Sequence, residues 1–261
     1  MLNIAIHEER FASFVEDYLR EPVPMLALKV AHTRAVVSHA RAIVASGEMR
    51  LNGAAPQEEL CRACLIAAQY HDIGRFPQYA RWHIFSDAVS ANHGALASTL
   101  LVRKPFLEGE SATVRRLVRV AVCLHNRLRL PQGLSEEELL TTEVVRDADK
   151  LDIFRIMACY LDGGSKADEV VLRVRDEPEH WSAAIAETVC AGRTPAYRDL
   201  VYVNDFRILL VSWLRELRFA CSRKTLAASG HMERILSGLP KDPTLKPTLH
   251  VLQSLIREAL C

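Results

Sequence analysis

The sequence lacks the long apolar runs and the charge imbalance that mark membrane proteins and binders of polyanions. Its longest apolar stretch, residues 208–214, is interrupted by Ser212, whereas a membrane-spanning helix needs roughly 18 or more apolar residues. The first residues mix acidic and apolar side chains, which is not typical of a signal peptide. The net charge of +1 provides no overall field that would attract nucleic acid or an anionic membrane. We therefore expect a cytoplasmic protein that has neither a membrane nor a nucleic-acid polymer as its partner.

Cysteines are few, and their pattern does not indicate a disulfide framework. There are seven, an odd number, and they are scattered along the chain, which suggests reduced thiols in a cytosol. Cys61 and Cys64 form a CxxC pattern, but no second pair follows. Three-residue spacing on a helix places two small apolar side chains on one face, so packing is favoured over a metal or redox role.

Alternating apolar stretches are rare, which argues against strands. Residues 170–175 are the one candidate strand, while apolar residues elsewhere recur at three- and four-residue spacing. The sequence therefore predicts an all-α fold, with an irregular aromatic-rich stretch at 74–87 and a capping box at Ser135 and Glu138. The predicted helices lie at about 7–20, 25–46, 56–72, 90–102, 111–127, 135–161, 179–191, 198–228, 231–237 and 247–260.

No repeat and no long linker divides the chain. We expect a single helical domain over 1–261, with a core at about 25–160 and a C-terminal helical extension at about 165–261. Residues 165–178 are the best candidate for a flexible excursion.

Several predicted helices place a metal-capable side chain on their apolar face. A carboxylate in such a position costs free energy unless it is paired or bound to a cation. Imidazole and carboxylate together suit divalent Mn, Fe, Co, Ni or Zn. These inward side chains are His32, the His71-Asp72 pair, His125 and Asp149.

Two local questions of register arise. Neighbours such as His71 and Asp72 diverge by about 100° on a helix, but Gly74 gives the chain freedom just after the pair, so both can reach one ion. Asp147 and Asp149 are separated by about 200°, so they cannot both face the same ion.

The combination of His32, His71-Asp72 within YHDIGR and Asp149 within RDADKLD resembles the H…HD…D signature of the HD-domain superfamily of metal-dependent phosphohydrolases. The order and spacing match over residues 25–160. The resemblance implies an HD-domain-like helical bundle with additional C-terminal helices, in which a metal-activated water attacks phosphorus. It also favours Asp149 over Asp147 as the last ligand.

His93 and His125 occur where binuclear members of this superfamily carry two further histidines. The resemblance therefore implies one or two divalent ions, which could be Mg as well as Mn, Fe, Co, Ni or Zn. The segment NRLRLPQG after His125 lacks the HHExxDGxGYP pattern of cyclic-di-GMP phosphodiesterases, and the synthetase domain of bifunctional stringent-response enzymes is also missing. The substrate is therefore not specified, and a nucleotide is a first guess by family analogy.

Asp72 and Arg75 are the candidate catalytic residues. Asp72 has two oxygens and could bridge two ions, or in a mononuclear site it could orient the nucleophile. Arg75 follows HDIG and could hold a phosphate oxygen, although a solvated loop arginine is an equal alternative. Arg127 and Lys150 are weaker candidates for substrate binding.

The expected function is hydrolysis of a phosphate ester in a small phosphorylated substrate. Two alternatives remain. The same cage could hold a di-iron centre that activates oxygen, or it could be a metal-containing binding module without turnover. The oligomeric state is left open.

Overall fold

The computed structural model describes residues 2–51, 57–161 and 174–260, and over these ranges the protein is all-α, with no strand. The predicted strand at 170–175 lies mostly outside the described residues, and Arg175 makes an isolated bridge to Tyr202. The helices are α1 (Ala5–Glu16), α2 (Pro24–Ala45), α3 (Glu58–Tyr70), α4 (Arg75–Trp82), α5 (His93–Arg103), α6 (Ala112–Leu124), α7 (Glu136–Leu161), α8 (Ala183–Cys190), α9 (Val203–Ser212), α10 (Ala220–Ala228), α11 (His231–Ser237) and α12 (Lys246–Leu260). None of the described helices is both long and apolar enough to cross a bilayer.

The chain divides into two compact units, Met1–Asp152 and Ile153–Cys261, so the boundary falls within α7. The single domain over 1–261 stays a prediction. The excursion expected at 165–178 falls largely on residues that the structure does not describe.

In the first unit, α3 packs against α1, α2 and α6, while α5 packs against α4 and α6. Small side chains such as Ala63, Cys64 and Ala67 are fully buried on α3. Burial raises the pKa of the Cys64 thiol to about 12, so it stays protonated at neutral pH. This supports the packing role expected for the CxxC pair.

In the second unit, α12 packs against α8, α9 and α10, while α11 packs against α9 and α10. Its core includes Phe206, Leu209 and Leu252, all buried. Arg207 donates from Nη1 to the carbonyl of Ile235 (3.1 Å) and from Nη2 to that of Leu161 (2.9 Å), and thereby satisfies carbonyls that helix ends leave without partners.

The expected capping box begins α7. The backbone N–H of Ser135 donates to Glu138 Oε2 (2.9 Å), and the N–H of Glu138 donates to Ser135 Oγ (3.2 Å).

The irregular stretch predicted at 74–87 is wrong in part, because Arg75–Trp82 forms helix α4. Pro77 occupies the first turn of this helix, where a missing N–H costs no hydrogen bond. The helix ends at Trp82, and the next residue, His83, is exposed and adopts a left-handed φ of 52°.

The single helix predicted at 198–228 is also wrong. It is divided into α9, a 3₁₀ turn at Trp213–Glu216 and α10. The start of α9 is delayed because the Asp205 carboxylate accepts hydrogen bonds from the backbone N–H groups of Val201 (2.9 Å) and Tyr202 (3.0 Å), which fixes these residues outside the helix. Periodicity alone cannot detect such side-chain caps.

Candidate metal centre

The expected ligands all belong to the first unit, where the ends and faces of five helices bring them together. His32 lies within α2 and Asp149 within α7, whereas His71 and Asp72 directly follow α3. The two further histidines also lie at helix ends, since His93 begins α5 and His125 directly follows α6. All of these side chains are buried except Asp149, which is half-buried.

The first group consists of His32, His71 and Asp149. His32 Nε2 lies 3.1 Å from Asp149 Oδ1 and 3.3 Å from His71 Nε2, while His71 Nε2 lies 3.8 Å from Asp149 Oδ1. Ligands that bind one first-row ion with bonds of about 2.0–2.2 Å are separated by about 3.0–3.5 Å. The donor atoms therefore fit a single transition-metal ion with only small adjustments.

The second group consists of Asp72, His93 and His125. His93 Nε2 lies 3.1 Å from His125 Nε2 and 3.3 Å from Asp72 Oδ1, and His125 Nε2 lies 4.0 Å from the same oxygen. These separations are similar to those of the first group, so the second group also could hold an ion.

Asp72 faces both groups with different oxygens. Its Oδ1 belongs to the second group, whereas its Oδ2 lies 3.7 Å from His32 Nε2 and 3.8 Å from His71 Nε2 in the first. A carboxylate in this position can contribute one oxygen to each of two neighbouring ions.

The Nδ1 atoms of the four histidines are all held by oxygen acceptors. His71 Nδ1 donates to the Ala68 carbonyl and His125 Nδ1 to the Val122 carbonyl, each over 2.8 Å. His32 Nδ1 contacts Asp152 Oδ2 and His93 Nδ1 contacts Asp87 Oδ2, each over 2.7 Å. Because these partners only accept, a neutral ring carries its proton on Nδ1 and presents a lone pair at Nε2.

Burial keeps three of these rings neutral. It lowers the pKa of His71, and it lowers the pKa values of His93 and His125 to about 4. His93 Nε2 and His125 Nε2 therefore direct lone pairs at each other over 3.1 Å. Two lone pairs repel at this distance, whereas a cation would be bound by both. The chemistry of the donor set therefore fits a metal ion.

His32 differs from the other three rings. Burial and Lys29 act to lower its pKa, but hydrogen bonds with Asp149 and Asp152 outweigh them, and the pKa is raised. A proton on Nε2 would be held by Asp149, so protons compete with a cation for this position.

Both candidate carboxylate ligands are ionised. Burial alone would raise the pKa of Asp72, but Lys29, His71 and Arg75 hold it well below its usual range. Burial likewise opposes ionisation of Asp149, and the hydrogen bond with His32 lowers its pKa well below the ordinary value. At neutral pH both side chains are anionic.

The aspartates of α7 play different structural roles. Asp149 belongs to the first group, and Asp152, one turn later, orients His32. Asp147 is buried, but among the described residues it belongs to neither group. The role of Asp149 as the ligand stays a prediction, and the geometry favours it over Asp147.

Sequence reasoning missed Asp87, which organises the second group. Besides His93, its carboxylate accepts hydrogen bonds from Arg75 Nη1, Gln78 Nε2 and Asn126 Nδ2, each over 3.0 Å. No periodic pattern marks Asp87, because it lies in the turn between α4 and α5.

Arg75 is not a solvated loop arginine. It begins α4, only 15% of its side chain is exposed, and its Nη1 donates to the Phe85 carbonyl over 2.6 Å. Its Nε lies 3.4 Å from Asp72 Oδ1. A role in phosphate binding stays a prediction.

Gly74 serves a purpose different from the one expected. Its φ of −67° is ordinary, so the chain does not use glycine's freedom there. A Cβ at this position would instead lie 2.2 Å from the His93 carbonyl oxygen and 2.7 Å from the Ala97 nitrogen. Gly74 therefore allows the segment after His71-Asp72 to approach the first turn of α5.

Lys29 was also missed. Its Nζ donates to Asp72 Oδ2 over 2.7 Å and lies 5.8 Å from the centroid of the Phe85 ring. The available signal was spacing, because Lys29 lies one turn before His32 on the same face of α2.

The two weaker substrate candidates lie in different surroundings. Arg127 is exposed, and its backbone carbonyl accepts from Arg146 Nη1, which also holds the His125 carbonyl (3.0 Å). Lys150 is half-buried on α7 beside Asp149. Contact of either residue with a substrate stays a prediction.

Comparison with family models, with curated proteins and with solved structures gave no match to this chain. What is established is therefore an all-helical protein with two adjoining His/Asp groups that could bind metal ions.

Proposed function

We propose that this protein is a metal-dependent phosphohydrolase, which uses water to cleave a phosphate ester. The observation that carries the proposal is the position of Asp72. Its two oxygens face two adjoining groups of histidine and aspartate side chains. The HD-type motif in the sequence supports the same conclusion independently of this geometry.

His32, His71 and Asp149 would hold one ion, and His93 and His125 would hold a second, with Asp72 contributing to both. A divalent ion, when bound, lowers the pKa of water and polarises a phosphoryl oxygen. Asp152 and Asp87 fix the orientation of His32 and His93 and increase their basicity as ligands.

The residues around the site also suit an anionic substrate. Lys29 and Arg75 place two positive charges beside Asp72, and near the first group Asp149 and Lys29 are partly exposed, with 19% and 21% of their side chains accessible. A substrate phosphate would approach from the side of these two residues. Arg127 and Lys150 are proposed as contacts for more distant parts of a small substrate, for which nucleotides are a first choice.

The low pKa of Asp72 restricts its role. A group that stays ionised well below pH 4 is a weak base, so Asp72 is better suited to bind a cation than to carry a proton. We therefore favour cation binding by Asp72 over a role in proton transfer, and both the bridging role and the orienting role remain compatible with this.

The proposal is tested by metal analysis of the purified chain, followed by a screen of phosphomonoesters, nucleotides and cyclic dinucleotides with added Mn²⁺ or Co²⁺. We expect bound metal and phosphate release that a chelator abolishes. Iron with substrate-dependent oxygen consumption and no phosphate release would indicate the oxygenase alternative. Bound metal without turnover of any substrate would indicate a binding module, and absence of metal binding would contradict all three.

A further inference from the structure

Lys29 competes for the same oxygen that a cation in the first group would use. Its Nζ donates to Asp72 Oδ2 over 2.7 Å, and that oxygen is the one that faces His32 Nε2 (3.7 Å) and His71 Nε2 (3.8 Å). An ion bound to Oδ2 would therefore lie within a few ångströms of the ammonium group. Like charges at this separation repel strongly in a site from which water is largely excluded.

The Lys29 ammonium group can donate further hydrogen bonds besides the one to Asp72. It has three N–H donors, and within the part of the chain that the structure describes, its only hydrogen-bond acceptor is Asp72. The Lys29 side chain is 21% exposed, compared with 4% for Asp72, so the amine lies between the buried carboxylate and solvent. The Lys29 amine also lies over the face of the Phe85 ring, which attracts a cation.

Arg75 is less available to a ligand. Its Nη1 contacts the Phe85 carbonyl, Gln78 and Asp87, which orders the segment between α4 and α5. Of the two cations beside Asp72, Lys29 thus has the greater freedom to turn toward an incoming anion.

We infer that Lys29 couples ion binding in the first group to the binding of a phosphate anion. Without phosphate, the ammonium shares Asp72 with the ion and weakens its binding. When phosphate is bound, the ammonium donates to a phosphoryl oxygen, and the repulsion is offset. Because such coupling is reciprocal, phosphate must tighten metal binding as much as metal tightens phosphate binding. This inference rests on the proposed function and specifies the phosphate-binding residue of that site.

The experiment measures Mn²⁺ binding to the metal-stripped full chain, with and without inorganic phosphate. Free Mn²⁺ is followed by electron paramagnetic resonance, and complexation of Mn²⁺ by phosphate alone is subtracted. Lys29→Met and Lys29→Gln remove the charge, whereas Lys29→Arg retains it. Lys104→Met is the matched control, because Lys104 also lies over an aromatic ring, Phe14, at 5.7 Å.

We expect both neutral variants to bind Mn²⁺ at least about tenfold more tightly than wild type in the absence of phosphate. Phosphate should tighten binding to wild type and Lys29→Arg by about threefold or more, and should have less than half that effect on the neutral variants. Lys104→Met should behave as wild type. Circular dichroism establishes that each variant is folded.

Neutral variants with wild-type Mn²⁺ affinity, or with an undiminished response to phosphate, would overturn the inference. If wild type still binds metal and releases phosphate in that case, the proposed function stands and only the role of Lys29 is lost. If wild type binds no Mn²⁺, both are wrong.

Discussion

The two His/Asp groups are built alike but differ in charge. Each contains one histidine oriented by a carboxylate and one oriented by a backbone carbonyl, namely His32 with His71 and His93 with His125. The first group has a carboxylate of its own, Asp149, and the second has only Asp72, which it shares. Since carboxylates contribute most of the charge attraction for a divalent ion, the first group should bind more tightly, and the second should depend on Asp72.

Asp72→Asn is expected to have the largest effect on activity and on metal content, because it removes the carboxylate that faces both groups. We expect metal-dependent phosphate release to fall at least about a thousandfold, and bound metal to fall below one ion per chain. Elemental analysis and a phosphate-release assay measure the two quantities. A variant that keeps wild-type metal content would contradict the shared role of Asp72.

Asp149→Asn removes the charge that distinguishes the first group. Activity should fall by about a hundredfold or more, with loss of the ion held by His32 and His71. Asp147→Asn is the matched control, since Asp147 lies two residues away and in neither group of the described residues. We expect its effect on activity to be within about fivefold if the variant is folded. The opposite ranking would transfer the ligand role to Asp147.

Replacing His93 and His125 together by alanine isolates the first group. Tightly bound metal should fall from about two ions to about one per chain, and the remaining ion should keep close to wild-type affinity. Equilibrium dialysis with Mn²⁺ measures both. An unchanged stoichiometry would show that the second group does not hold an ion.

Asp152→Asn and Asp87→Asn test the orienting carboxylates separately. Each should weaken one ion by about 10- to 100-fold and leave the other nearly unchanged, because Asp152 contacts the ring of His32 in the first group and Asp87 contacts that of His93 in the second. Metal titration of both variants side by side checks this. Equal weakening of both ions by either substitution would mean that the two groups are not independent.

A third cluster also joins a histidine to a carboxylate, but within the described part of the chain it belongs to neither ligand group. His7 Nε2 contacts Glu110 Oε1 over 3.0 Å, and Arg62 also pairs with Glu110. The hydrogen bond from Arg62 is the main cause that lowers the pKa of Glu110 to about 2. Because the folded-state pKa lies below the unfolded value, this stabilisation is complete above about pH 4.5 and is lost as the pH falls toward 2.

Glu110→Gln should therefore lower the free energy of unfolding at pH 7 by about 2–3 kcal/mol, and the difference from wild type should shrink as the pH is lowered. Metal content should not change. Urea unfolding between pH 7 and pH 3 measures the first effect. A pH-independent difference, or loss of metal, would contradict a purely structural role for Glu110.

The sequence predicted the all-α class and most helix positions, because amphipathic periodicity and caps are local signals. The residues of the two groups were also expected from the sequence, because His32, His71-Asp72 and Asp149 together resemble a short and specific family signature; their role as ligands stays a prediction. Lys29 was missed because its role depends on a contact to Asp72, which is distant in sequence. Asp87 is close to His93 in sequence but lies in a turn, where no periodic pattern marks it. Helix α4 was missed because it has only eight residues, which is too short for apolar periodicity to identify a helix.

Diffraction from a crystal soaked in Mn²⁺, recorded at the manganese absorption edge, tests the central claim most directly. The account predicts two anomalous peaks about 3.5–4 Å apart, one among His32, His71 and Asp149 and one between His93 and His125, with Asp72 contacting both. A single peak that Asp72 does not contact, or no peak within either group, would contradict it.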